Sequence, residues 1–110
     1  MANRFKGEVE TSTGHKMVLD YNALVELEGI TGRAAFDVLA DLEAGKARVS
    51  DIRAVYSACL QRHHPDLSLF EAGDIASEDP EAWLRVILAA SPEAGTAPDS
   101  KGKPREKKAG

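Results

Sequence analysis

His63, His64 and Asp66 stand side by side around Pro65, and no other stretch of the 110-residue chain gathers as much acid–base or ligating chemistry. Two imidazoles and a carboxylate suit a metal ion or a proton relay. Their spacing works against both. Adjacent residues on a helix point about 100° apart, so His63 and His64 do not face one site. His15 lies in a predicted turn at no fixed distance from them, and no second ligand cluster accompanies the pair. The plainer reading is a polar helix end, where histidine suits the C-terminal pole and Pro65 stops the helix. Cys59 is the only cysteine, which excludes an internal disulfide and a Cys-based zinc site and fits a reducing compartment. It falls on an apolar helix stripe and reads as a buried, inert thiol rather than a nucleophile. Gly29 and Gly32 lie between predicted helices with no Lys-Ser/Thr after them, so no phosphate loop exists. Glu26, Glu28, Asp37 and Asp41 are scattered over solvated helix faces. The residues therefore predict no catalytic, cofactor or metal site, and the expected chain is not an enzyme.

Hydrophobic residues make up 43% and charged residues 29%, the balance of a folded globular chain. Aromatics are only 5%, so the core must rest on Leu, Ile, Val and Ala. No apolar run approaches the roughly 20 residues of a membrane helix. The segment Met1–Gly7 lacks the apolar stretch of a signal peptide. The expectation is a cytoplasmic protein with no membrane partner. The net charge of -4 hides an asymmetry: residues 92–110 carry five basic and three acidic groups, and residues 1–91 carry nine and fifteen. An acidic body predicts no specific nucleic-acid binding. The basic run Lys101–Lys108 suits either a solvated tail or contact with an acidic partner.

These residues must be carried by elements that the periodicity predicts. Phe5, Gly7, Val9 and Thr11 alternate with Lys6, Glu8 and Glu10, which reads as a half-buried strand. Turn chemistry follows at Ser12-Thr13-Gly14-His15. Met17, Leu19 and Tyr21 then alternate with Lys16, Val18 and Asp20, completing a β-hairpin whose apolar face needs a cover. A first helix is capped by Asp20 or Asn22, uses Leu24, Val25 and Leu27, and stops at Gly29. A second, over 33–44, buries Ala35, Phe36, Leu39, Ala40 and Leu42 and ends at Gly45. A third starts at a Ser50 cap and places Ile52, Val55, Tyr56, Cys59 and Leu60 at i, i+3, i+4, i+7 and i+8. Ser68 and Glu71 have capping-box spacing for a fourth through Ala76. Asp79-Pro80 opens a fifth, which Pro92 ends. After Pro92 no apolar side chain exceeds Ala, which predicts disorder. The fold class is α+β: an N-terminal β-hairpin and four or five short helices in one domain over 1–91, then a disordered basic tail over 92–110.

Two resemblances attach to these segments. His64-Pro65-Asp66 after a helix resembles the loop of J-domain co-chaperones, with Ile52 to Asp66 in place of that family's second helix and loop. That helix is basic in the family, whereas only Arg53 and Arg62 are basic here. The hairpin and the segment Thr31–Ser50 also have no place in it. A wider resemblance covers roughly residues 3–90. It runs through Asn3-Arg4-Phe5-Lys6-Gly7-Glu8-Val9, Asp20-Tyr21-Asn22-Ala23-Leu24-Val25-Glu26-Leu27-Glu28, Ile52-Arg53-Ala54-Val55, and Arg62-His63-His64-Pro65-Asp66-Leu67-Ser68-Leu69-Phe70-Glu71-Ala72-Gly73. This ordered set resembles the tail assembly chaperone-like proteins of gene transfer agents and siphophage-like prophages, a family also described as gene transfer agent tail tube proteins.

The wider resemblance implies a non-enzymatic binding protein of the bacterial cytoplasm, without cofactors. Its partners would be the tape measure protein and tail tube subunits during phage-like tail morphogenesis, with a further copy of itself as another. A minor structural tail protein and a J-like co-chaperone using His64-Pro65-Asp66 remain alternatives. The predicted contact surface is the last helix, through Trp83, Leu84, Ile87 and Leu88, because Trp often anchors interfaces and the helix stands at the end of the ordered chain. The competing expectation is that this helix closes the core.

Overall fold

The computed structural model describes residues 5–91. Two strands, β1 (Gly7–Glu10) and β2 (Lys16–Leu19), form an antiparallel hairpin that pairs Gly7 with Leu19 and Val9 with Met17. Five helices follow: α1 (Tyr21–Thr31), α2 (Ala35–Ala44), α3 (Val49–Leu60), α4 (Leu69–Glu78) and α5 (Ala82–Ala90). The α+β arrangement expected from the periodicity is the one observed. The tail beyond Ser91 lies outside the described residues, as does the stop expected at Pro92.

The hairpin is covered on more sides than its pattern suggests. Met17 and Leu19 are buried as expected, but Val18 is also only 2% exposed. The reason is that β2 is contacted by α1, α3 and α5, so neither of its faces is left to water. β1 packs chiefly on α5, so closely that a Cβ on Gly7 would fall 2.4 Å from the Ala90 backbone nitrogen.

Local chemistry explains each helix boundary. The Asp20 carboxylate accepts the Ala23 N–H at 3.0 Å and caps α1. Gly29 does not stop that helix. Its stop is Gly32, whose φ of 72° is the left-handed geometry that lets its N–H close on Glu28 O. Helix α3 begins before Ser50, because the Asp51 carboxylate reaches back to accept the Arg48 N–H at 3.2 Å. The Ser68–Glu71 capping box is present in both directions, and α4 runs past Ala76 to Glu78. Asp79 does not cap α5. Its carboxylate is engaged with Arg85 and with the Ser12 N–H, and Glu81 takes the cap position.

Helix α3 is the spine: Ala54 through Leu60 are all buried, and Tyr56, Cys59 and Leu60 are fully so. Phe36, Ala40 and Ile52 depart from the expected core. Phe36 and Ala40 face outward, as does Val25 of the apolar set of α1, and Val38 takes the place predicted for Phe36. Ala35, Val38, Leu39 and Leu42 lie at i, i+3, i+4 and i+7, a tighter stripe than one that includes Phe36. The Phe36 ring instead meets Phe5 edge-on, at 6.1 Å between centroids. Ile52 is half-buried against the core rather than within it.

Candidate interaction surfaces

The buried polar groups are structural links, and Asp79 is the most connected of them. Arg85 grips its carboxylate with both terminal nitrogens, at 2.6 and 3.2 Å, and the Ser12 N–H donates to it at 2.9 Å. The Tyr56 hydroxyl donates to its carbonyl. One residue thus ties the hairpin turn, α3 and α5 together. The Arg85 guanidinium and the Ser12 N–H hold the Asp79 carboxyl below its ordinary range. Unfolding restores the ordinary value of about 3.9. The link therefore contributes in full above about pH 4 and is lost as pH falls through the lowered folded value. Asp79→Asn is expected to cost about 1–2 kcal/mol near neutrality, since Arg85 is partly solvated. It should also flatten the loss of stability as pH falls below about 4 in urea titrations.

The histidines meet, but not as ligands. The His15 and His64 rings lie 5.0 Å apart, and those of His63 and His64 6.5 Å apart. His15 Nδ1 is hydrogen-bonded to the Thr13 hydroxyl at 2.7 Å. His64 Nε2 accepts the Lys16 N–H at 3.2 Å, which requires a neutral ring. Burial and the neighbouring charges of His15 and His63 push its pKa down, favouring that form. Among the described residues no group of three His, Cys, Asp or Glu is placed to hold a metal ion. Because Gln offers an acceptor of similar reach, His64→Gln is expected to change stability by less than about 1 kcal/mol in urea melts. Cys59 is buried, and its thiol is pushed up to about 12 by that burial and by Asp20. It is no nucleophile at neutral pH.

The four residues predicted as a partner surface do not share a face. Ile87 is 5% exposed and packs in the core with Ala82, Val86 and Ala90, against the hairpin. Trp83 is half-buried against the same core. Leu84 and Leu88 alone face outward, one turn apart, at 39% and 51% exposure. The close approach of Gly7 to α5 shows why: the helix is the hairpin's cover. It closes the core and leaves a two-leucine strip to solvent.

Larger apolar exposure lies elsewhere. Tyr21 and Phe36 flank Phe5 at ring distances of 5.7 and 6.1 Å, and both are exposed. Val49 and Phe70 line an open groove of about 430 Å3 between α3 and α4. The signal for Phe70 was present in the sequence. It sits about 200° round the helix from Ala72 and 140° from Ile75, the buried pair of α4. A second open groove, of about 410 Å3, lies beside Val25, Ala58 and the Asp20–Arg62 ion pair. A scan against protein-family models, a search of curated proteins and a search of solved structures each return no match to this chain.

Proposed function

We propose that this chain is a non-enzymatic tail assembly chaperone of a gene transfer agent or siphophage-like prophage. It binds the tape measure protein, tail tube subunits or both while the tail is built in the bacterial cytoplasm. The observation that carries this reading is the surface. An acidic body exposes large apolar side chains in separate groups, among them Tyr21 with Phe36 and Leu84 with Leu88. A tape measure protein is long, apolar and helix-rich, so it needs shielding before the tube closes around it. Exposed apolar groups supply contact, and net negative charge keeps the complex soluble.

The segments that carry the resemblance also meet in space. Arg62 pairs with Asp20 at 2.9 Å, and the Arg53 stem lies against Gly73. A structural tube subunit would build its wall from sheet edges, whereas one two-stranded hairpin is the whole sheet of the described residues. The J-domain alternative needs His64 free to work in its loop, and the ring is engaged with the hairpin backbone.

Mass spectrometry of assembly intermediates and of finished particles separates chaperone from structural subunit. The chain is expected to accompany the tape measure protein in intermediates and to be missing from purified particles. Stoichiometric retention in finished particles would instead make it a structural tail protein.

A further inference from the structure

Val49 and Phe70 are the two most exposed large apolar side chains of the described residues, at 81% and 75%, and both border the groove between α3 and α4. The groove is open at Gly73 and Ala76, which carry little or no side chain. The stem of Arg53 borders it beside Gly73, where an added Cβ would sit 3.3 Å from Arg53 Cδ. Arg53 stands on the α3 rim and Asp74 on the α4 rim, and both are exposed. Among the described residues neither forms an ion pair, although Arg33, Arg48, Arg62 and Arg85 all do.

We infer that this groove is where two copies of the chain meet about a two-fold axis. A two-fold contact presents the same patch from both sides, so each complementary pair forms twice. That geometry requires one face to carry a knob with a hollow and a positive rim with a negative one. Phe70 is the knob, and the part of the groove bordered by Ala76, Ser77 and Pro80 is the hollow. Arg53 of each copy meets Asp74 of the other. The acidic bodies repel, so the contact forms only where these local pairs outweigh the repulsion, and the dimer is concentration-dependent. The inference does not rest on the tail-assembly reading.

Sedimentation equilibrium of the full chain at physiological salt, up to about 0.5 mM, tests it. The wild type is expected to show a reversible monomer–dimer equilibrium. Arg53→Asp alone and Asp74→Arg alone each place like charges opposite one another, and each should weaken dimerisation at least about tenfold. An equimolar mixture of these two variants should form a heterodimer, because both cross-axis pairs are then opposite in sign. The doubly substituted chain should dimerise as the wild type does. Phe70→Ser should weaken the dimer with the charges intact, while thermal melts hold all variants folded. A wild type that stays monomeric throughout the series overturns the inference and leaves the groove to a different protein. Dimers indifferent to the single charge reversals, or a mixture that fails to associate, overturn it as well.

Discussion

A chain carrying Gly7→Ala is expected to be strongly destabilised. The added methyl would lie 2.4 Å from the Ala90 nitrogen, 2.6 Å from the Val86 oxygen and 2.8 Å from the Ala89 carbonyl carbon. All three are backbone atoms of one helix, so no side-chain rotation relieves the clash. Either β1 leaves β2 or α5 lifts from the hairpin, and the second movement uncovers Val86, Ile87 and Ala90. Overpacking of this kind costs about 3 kcal/mol or more, a large share of the 5–15 kcal/mol that holds a domain together. Circular dichroism melts and urea titrations should show a non-cooperative or strongly destabilised chain. Gly29→Ala is the matched control. Nothing lies within 4 Å of its new Cβ, and it sits inside α1, so it should gain about 0.5–1 kcal/mol. A Gly7→Ala chain that melts like the wild type would mean that α5 does not seat on β1.

Leu60→Ala carries the next largest effect. Leu60 is fully buried at the end of α3, the helix that contacts α1, α2, α4, α5 and β2. Its truncation leaves a cavity in the core that the surrounding packing closes only in part, so a loss of about 2–5 kcal/mol is expected in urea titrations. In a domain of this size that shifts the midpoint by many degrees. A loss below about half a kcal/mol would mean that α3 presents a different face to the core.

Local signals were legible wherever one residue or one period decided the outcome. The hairpin, the Ser68–Glu71 box and the stripe of Val55, Tyr56, Cys59 and Leu60 all follow from spacing alone, whereas spacing left Asp20 and Asn22 equal as caps of α1 and the structure selects Asp20. Tertiary competition was not legible. Asp79 has the sequence of a helix cap, but Arg85 and the Ser12 N–H, 67 residues away, claim its carboxylate. Val18 reads as a solvent-facing strand position until three helices converge on β2. Phe36 and Val38 compete for one face of α2, and the aromatic loses because Phe5 offers its ring a place at the surface. The same limit applies to the contact surface. Trp83, Leu84, Ile87 and Leu88 cluster in sequence, but successive helix positions fan round the axis, and the hairpin claims Ile87. The apolar exposure of Val49 and Phe70 follows from the other side of that rule, since each stands off the buried stripe of its helix.

If this chain shields a tape measure protein, as proposed, co-expression should keep that partner soluble. A tape measure fragment from the same tail gene cluster is expressed alone and together with this chain, and its soluble fraction is measured after lysis. The fragment alone is expected to be insoluble and the co-expressed complex soluble. Replacing exposed apolar residues, Phe36→Ser or Leu88→Ser, should reduce that solubility while thermal melts show the chain still folded. A fragment equally insoluble with and without the folded chain would contradict it.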